Sequence, residues 1–264
     1  MTRRFPLNPY RVFVVVLAAL LPGLPLFGQD VIRPNDAARQ TVGQMKAALG
    51  GEVDATYSRL TGFVTFLTTG PGKGVPVPDP AATSPEDRAR SFLDSYGSAF
   101  GLGPESDLRV TRVDRADVIG ADHVRFQQFH RGVPVTAGEL IVHLEGAAVV
   151  ALNGKLLPKV VVDVVPTVSA SEALDAVREL VKKHLTTNPV ELSEPELQIL
   201  NRGLLEGVQK PTRLTWFMVA TNAELREFVW VDAGRGGIAL HFSQRRVAAQ
   251  GETNQGVRQT ALIA

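Results

Sequence analysis

His-Val-Arg-Phe-Gln-Gln-Phe-His-Arg-Gly-Val-Pro-Val, residues 123–135, is the part of this 264-residue chain from which most of the fold can be worked out. Every second residue here lies on the same side of an extended chain, so that Val124 and Phe126 face away from Arg125 and Gln127. Alternation of this kind is typical of a β-strand with one buried side. The pattern therefore predicts a half-buried strand over residues 122–130.

The segment Gly132-Val133-Pro134 follows this strand and is predicted to interrupt it. Pro134 has no backbone N–H to donate to a neighbouring strand, and Gly132 tolerates a sharp bend. Alternation resumes in Glu-Leu-Ile-Val-His-Leu at residues 139–144. The two alternating segments together predict a long antiparallel hairpin.

Three helices are predicted from their N-terminal caps and their apolar stripes. Asn35 precedes the first, Ser84 and Pro85 begin the second, and Ser169 with Glu172 forms a capping box before the third. Helical spacing of apolar residues follows each cap. The residues expected to be buried are Phe92, Leu93 and Tyr96 in the second helix and Leu174, Val177 and Leu180 in the third.

Runs of alternating segments follow the second and third helices. They lie at 107–113, 122–130, 138–145, 148–153 and 157–165, and then at 196–202, 212–220, 226–233 and 237–242; an earlier hairpin is expected around Thr61-Gly62. One amphipathic helix on one side of an antiparallel sheet is the α+β arrangement that buries both apolar surfaces. The predicted fold class is α+β, with two tandem cystatin-like units, each an antiparallel sheet packed on one amphipathic helix. A single continuous domain is the alternative.

The residues of the central hairpin resemble a known family. The pattern H-V-R-F-Q-Q-x-x-x-G-V-P-V followed by G-E-x-x-V-H-L is similar to the centre of the propeptide of fungalysin- and thermolysin-type metalloproteases. Ala-Leu-Asn-Gly at 151–154 resembles the V-N-G close of the same unit. The residues that carry this resemblance are His123, Arg125, Gln127, Gln128, Gly132, Val133, Pro134, Gly138, Glu139, Asn153 and Gly154.

A second resemblance covers the later part of the chain. Pro-Thr-Val-Ser-Ala-Ser-Glu-Ala at 166–173 and Val-Asp-Ala-Gly-Arg-Gly-Gly-Ile at 231–238 are similar to the helix start and the terminal hairpin of the PepSY domain. Asp232 and Gly236 match that hairpin, whereas Arg235 stands where PepSY domains usually have threonine. Gly236 still supplies the residue best suited to a positive φ in the turn.

Composition excludes several classes of protein. The chain has no cysteine, so disulfides, thiolate metal sites and lipid attachment to cysteine are excluded. Its net charge is +1, and without Arg3, Arg4 and Arg11 near the N-terminus 25 basic and 27 acidic residues remain. This balance offers no electrostatic case for binding nucleic acid.

The N-terminus has the composition of a secretory signal peptide. A basic start is followed by an apolar run from Val12 to Leu21 and then by Pro22-Gly23. Ten helical residues span about 15 Å, half of the ~30 Å hydrocarbon core of a bilayer, so no stable membrane anchor is expected. Residues 1–28 are predicted to direct secretion to the extracellular space or periplasm. A buried N-terminal helix is the alternative.

Motifs for catalysis are missing from the sequence. No pair of histidines has the His-Glu-x-x-His spacing of a zinc protease, and no Gly-x-Ser-x-Gly is present. His123, His130 and His143 fall on or beside neighbouring predicted strands, so either a three-histidine site or ordinary hydrogen-bonded histidines is conceivable. Gly70 to Gly74 lacks the spacing of a phosphate-binding loop and is expected to be a turn. The chain is therefore predicted not to be an enzyme.

Two further groups of residues have two interpretations each. Arg125, Gln127 and Gln128 could contact a partner protein or form cross-strand pairs on the solvent side. Trp216 and Trp230 could pack in the core or serve as aromatic anchors at an interface.

The resemblance implies a function. In this family the pro-region assists folding of the catalytic domain and then inhibits it, so the catalytic domain of a thermolysin-like metalloprotease is the implied partner. Zinc and calcium are implied only for that partner, and no cofactor for this chain. The expected organisation is a signal peptide at 1–28, a helical segment at 29–52, a propeptide-like domain at 53–158, a PepSY-like domain at 159–246 and a flexible tail at 247–264, in a precursor truncated before its catalytic domain. A stand-alone secreted protease inhibitor or a ligand-binding PepSY-type module is the alternative.

Overall fold

A computed structural model describes residues 33–116 and 120–244 of the chain, which form mixed helices and strands. The helices are α1 Asp36–Ala48, α2 Pro85–Tyr96, α3 Ala170–Leu180 and α4 Arg202–Glu206. The strands are β1 Val53–Tyr57, β2 Val64–Thr69, β3 Val75–Pro76, β4 Asp107–Asp114, β5 Asp122–His130, β6 Val133–Glu145, β7 Ala148–Lys155, β8 Glu191–Leu192, β9 Glu196–Asn201, β10 Thr212–Thr221, β11 Arg226–Asp232 and β12 Ile238–Ser243. The α+β class predicted from the sequence is confirmed.

The three predicted helices begin where their caps lie. The side chain of Asn35 accepts from the N–H of Ala37, and that of Ser84 accepts from Asp87. Ser169 and Glu172 form the predicted capping box, with the carboxylate of Glu172 accepting from the N–H of Ser169 at 2.8 Å. Helix α3 continues into a π-helical turn, Val181–Leu185. These caps satisfy N–H groups that have no partner inside a helix.

The predicted hairpin is present as β5 and β6, but Pro134 does not interrupt it. The chain reverses at Arg131 and Gly132, whose φ angles are 49° and 83°, and β6 already begins at Val133. Pro134 lies opposite Phe129, beside a register shift between Gln127 and Phe129. A bulge loosens the ladder, which lets a residue without an N–H lie within a strand. The predicted break is therefore present at Gly132, in the turn, but the prediction is wrong for Val133 and Pro134, which lie in β6.

Strand β6 joins the two parts of the sheet. The strand order is β1-β2-β7-β6-β9-β10-β11-β12, with β5 between β4 and β6, and with β3 and β8 added beside β7 and β10. All pairings are antiparallel except that of β6 with β9, where Val135 lies opposite Ile199. The end of β6 near Val135 thus meets the second half of the chain, while its later residues pair with β5 and β7.

Apolar residues form three buried clusters. The first combines α1 and α2 with the β5–β7 side of the sheet, and Phe92, Phe126 and Leu140 are among its fully buried members. The second packs α3 against β10 and β11 through Val177, and the third surrounds the contact of Val135 with Ile199. Phe92, Leu93 and Val177 are buried as predicted, whereas Tyr96, Leu174 and Leu180 are only half-buried.

The segment predicted as a strand at 157–165 forms no ladder. Val160, Val162 and Val164 still pack against the third cluster, while Val161 and Val165 are exposed. The alternation in the sequence therefore reflects real one-sided burial, but of an extended connection and not of a strand. The division into units at 53–158 and 159–246 stays a prediction. No helix within residues 33–116 and 120–244 is long and apolar enough to cross a bilayer.

Replacing Leu93 by alanine should lower the free energy of unfolding by about 2–5 kcal/mol, because it removes buried methyl groups and leaves a cavity. Val161→Ala, at a side chain that is 74% exposed, is the matched control and should change stability by less than about 0.5 kcal/mol. Urea unfolding followed by tryptophan fluorescence measures both. Equal losses in the two variants would contradict the first cluster as described.

Candidate functional site

Within residues 33–116 and 120–244, α1 and α2 pack on one side of the β5-β6-β7 sheet, and the short helix α4 borders the other side. Val124, Phe126 and Leu140 point into the first buried cluster. The alternate residues lie on the opposite side, which we call the motif face. It carries His123, Arg125, Gln127, Glu139, Ile141, His143 and Asn153, which the strand registers place side by side.

An ion pair lies at the centre of the motif face. The Nη1 of Arg125 lies 2.8 Å from the Oε2 of Glu139, and both side chains are more than 40% exposed. Exposed pairs of this kind contribute about 0–1 kcal/mol to stability. Both charges therefore remain available to a partner at small energetic cost.

Two of the three predicted histidines meet on the motif face. The Nδ1 atoms of His123 and His143 are 2.7 Å apart, and the Nε2 of His143 lies 2.6 Å from the Oδ1 of Asn153. Which ring nitrogens donate in these two contacts depends on the tautomers of the histidines. His130 lies at the far end of β5. The described residues, 33–116 and 120–244, contain no group of three metal-ligating side chains, so the three-histidine interpretation is not supported there.

Gln127 and Gln128 bind the backbone of their own chain. The Nε2 of Gln127 donates to the carbonyls of Val135 and Gly138, at 2.7 and 3.1 Å. Gln128 is buried, and its amide donates to the carbonyl of Leu157 at 2.8 Å and accepts from the N–H of Leu157 at 2.9 Å. Neither side chain forms the cross-strand pair expected as one alternative. We call the two contacts of Gln128 with Leu157 the amide clamp.

Two glycines of the motif lie where a side chain would collide, Gly138 with the side chain of Gln128 and Gly154 with the backbone of Glu139. A Cβ on Gly138 would lie 2.9 Å from the Oε1 of Gln128. Gly154 has a φ of 146°, and a Cβ there would lie 2.0 Å from the carbonyl oxygen of Glu139. Gly132 provides the positive φ of the hairpin turn. A side chain at Gly154 would therefore push the strands apart, one at Gly138 would displace the side chain of Gln128 or Val135, and one at Gly132 would have space but a strained φ.

An aromatic patch lies farther along the sheet, on the side of β10–β12 away from α3. It consists of Phe217, Phe228, Trp230 and Phe242, whose ring centroids are 4.7–6.2 Å apart in five neighbouring pairs. Trp230 is almost buried and donates to the Oε1 of Gln198, whereas the three phenylalanines are half-buried. Trp216 lies on the other side, with its Nε1 donating to the carbonyl of Val168. The sequence pointed to Trp230 as a possible interface anchor but not to its three phenylalanine neighbours, although the alternation of Phe228 and Trp230 in β11 gives a signal for such a patch.

Two open clefts connect the aromatic patch with the motif face. The first, about 310 Å³, is lined by the patch together with Pro134, Thr136 and Gln198. The second, about 500 Å³, is lined by Arg125, Ile141, Asn153 and Lys155. Ala137, Glu139 and Leu205 line both. The candidate site is therefore one continuous surface, the open face, which is polar at one end and aromatic at the other.

Asp232 organises the turn between β11 and β12. Its Oδ1 accepts from the N–H groups of Gly234 and Arg235, and its Oδ2 accepts from Nη1 of Arg213 at 2.5 Å. Gly236 has the positive φ that the sequence predicted, 78°. Burial raises the pKa of the Asp232 carboxyl, but hydrogen bonds from Arg213 and Gly234 and the charge of Arg213 outweigh burial, so its pKa lies below the ordinary value.

Comparison with known proteins gives three findings. Residues 106–156 match the family described as Fungalysin/Thermolysin Propeptide Motif. Over 132 residues, half of this chain, it is 28% identical to the thermolysins of Alicyclobacillus acidocaldarius subsp. acidocaldarius and Bacillus caldolyticus. Among solved structures it is similar to the Bacillus megaterium YpeB C-terminal domain, with a TM-score of 0.36, 14% identity, and coverage of 80% of this chain and 98% of that one.

The chain spans only 22% of the length of these thermolysins. The matched motif contains the hairpin, the ion pair and both glutamines. The chain therefore carries a thermolysin-type propeptide motif, as the sequence predicted, and resembles a region of a protease precursor outside its catalytic part.

The amide clamp and the ion pair should differ in their effect on stability. Gln128→Ala leaves the N–H and the carbonyl of Leu157 without their partner and should lower the free energy of unfolding by about 1–3 kcal/mol or more. Arg125→Ala removes an exposed pair and should cost less than about 1 kcal/mol. Urea unfolding of both variants tests this ranking, and the reverse order would refute a structural role for Gln128.

Stability should also depend on pH through Asp232. Its pKa is lower in the folded chain than in the unfolded one, where aspartate titrates near ~3.9. Its contribution is thus fully present well above that pH and is lost as the pH falls through the folded-state pKa. The difference in unfolding free energy between wild type and Asp232→Asn should be largest at neutral pH and shrink below about pH 4. A difference that is constant from pH 7 to 3 would exclude the ionised carboxylate as its source.

Proposed function

We propose that the chain is the pro-region of a secreted thermolysin-like metalloprotease, which assists folding of the catalytic domain and then inhibits it. The supporting observation is the match of residues 106–156 to the propeptide motif, on the hairpin that forms half of the open face. In this proposal the chain has no peptidase activity of its own. Secretion through a signal peptide at 1–28 and the tail at 247–264 belong to the same proposal and lie outside the described residues.

A rigid open face suits a folding assistant. A protein that binds the native-like catalytic domain and not its unfolded chain shifts the folding equilibrium toward the native state. The helices bury the other side of the sheet, and the amide clamp and the Gln127 contacts fix the backbone beneath the motif face. The surface is thus largely formed before the partner binds, which lowers the entropy cost of association.

The two ends of the open face would contribute differently to binding. The aromatic patch offers half-buried rings of the kind that supply most of the binding energy at protein interfaces. Arg125, Glu139 and Lys155 offer exposed charges, which mainly set orientation and the rate of association. In this proposal the propeptide-like unit at 53–158 supplies the polar end and the PepSY-like unit at 159–246 the aromatic end, each unit being cystatin-like.

Thermolysin serves as the test protease. The full chain should inhibit hydrolysis of a peptide substrate by native thermolysin. It should also raise the yield of active enzyme when denatured thermolysin is refolded with it and assayed after dilution below the inhibition constant. Inhibition without any gain in refolding would point to a stand-alone inhibitor. Absence of both effects, or zinc-dependent casein hydrolysis by the chain alone, would refute the proposal.

A variant pair tests the open face itself. Phe242→Ser removes a ring from the aromatic patch and should weaken inhibition about fivefold or more, the loss typical of an aromatic contact residue. Val161→Ser, in the connection before α3, removes an apolar side chain that is more exposed and should leave inhibition unchanged. Circular dichroism must show both variants folded. Equal inhibition by the two variants would remove the aromatic patch from the interface.

A further inference from the structure

A basic pocket lies at the end of the sheet formed by β9–β12, next to the turn that Asp232 organises. Its volume is about 350 Å³, and four cationic side chains line it, Arg202, Lys210, Arg213 and Arg235. Leu200, Pro211 and Ile238 provide apolar lining. The only carboxylate lining the pocket within the described chain is that of Asp232.

The carboxylates nearby neutralise only part of this charge. Asp232 is paired with Arg213, and its other oxygen accepts two backbone N–H groups. Glu206 is shared between Arg202 at 2.7 Å and Lys210 at 3.8 Å. The guanidinium of Arg235 forms no ion pair with residues 33–116 or 120–244. Four positive charges therefore face two negative ones, and the excess is favourable only when an anion is bound or solvent screens it.

The chemistry of the lining indicates which anion fits. Guanidinium groups bind planar carboxylates through two parallel hydrogen bonds, and the apolar lining suits the short stem of an aspartate or glutamate side chain. Phosphate sites typically use converging backbone N–H groups. In this turn the N–H groups of Gly234 and Arg235 are already bound to Asp232.

We propose that this basic pocket binds an acidic peptide segment of the partner protein, with Arg235 and Lys210 contacting its carboxylates. Within the proposed function this segment belongs to the protease domain, and the inference rests on that function only for the identity of the partner.

Binding of a fluorescein-labelled hexapeptide of alternating Glu and Ala, followed by anisotropy, tests the pocket on the full chain. The same peptide with Gln for Glu should not bind, and binding should weaken as salt rises. Arg235→Thr and Lys210→Gln should each reduce affinity about fivefold. Arg112→Gln on β4 removes an exposed, ion-paired arginine and is the matched control, expected to bind like wild type.

Further outcomes distinguish binding of a peptide from binding of a small anion, and test the pocket separately from the proposed function. Arg235→Thr is an exposed change, and its melting temperature confirms that it folds. Unchanged affinity in Arg235→Thr, or equal loss in Arg112→Gln, would overturn the pocket. Competition by citrate would support carboxylate binding, whereas binding of citrate or inorganic phosphate without the acidic peptide would overturn the peptide as ligand. Peptide binding with neither inhibition nor improved refolding of thermolysin would refute only the proposed function, and inhibition without peptide binding only this pocket.

Discussion

The amide of Gln128 holds both backbone groups of Leu157, and the meeting of the two parts of the sheet depends on this contact. Leu157 lies just after β7, where the chain leaves the first buried cluster. Fixed there, it packs with Val135 and Ile199 at the single parallel pairing of the sheet. A buried amide with all its partners present is rigid, because losing one partner exposes a polar group to an apolar surrounding. Gln128 thus fixes the backbone at the point where the chain leaves β7.

The open face has two parts that are stabilised in different ways. At the polar end the side chains are paired with one another, through Arg125 with Glu139 and His143 with Asn153. At the aromatic end the rings pack together over a sheet whose other side is buried by α3. The polar end thus rests on paired side chains and the aromatic end on packed rings.

The sequence allowed the elements to be predicted far better than the site. Caps at Asn35, Ser84 and Ser169 and alternation in β5 depend on neighbouring residues, so they can be read locally. The aromatic patch depends on the registers of three successive strands, β10–β12, and the amide clamp joins residues 128 and 157, so neither follows from the local pattern alone. The segment at 157–165 alternates because one side is buried, and burial without a ladder gives the same pattern. Pro134 was misjudged because a bulge, invisible in the sequence, removes the need for its N–H.

Four residues of the propeptide motif serve the fold itself. Gln127 and Gln128 form hydrogen bonds with the backbone, and Gly138 and Gly154 leave space for neighbouring groups. All four residues lie in the matched motif, residues 106–156, and fix the geometry of its strands. The aromatic rings of β10–β12 and the guanidinium of Arg235 lie outside it, on positions that the backbone does not constrain in this way. Under the proposed function, substitutions at these positions would change the choice of protease while the scaffold stays intact.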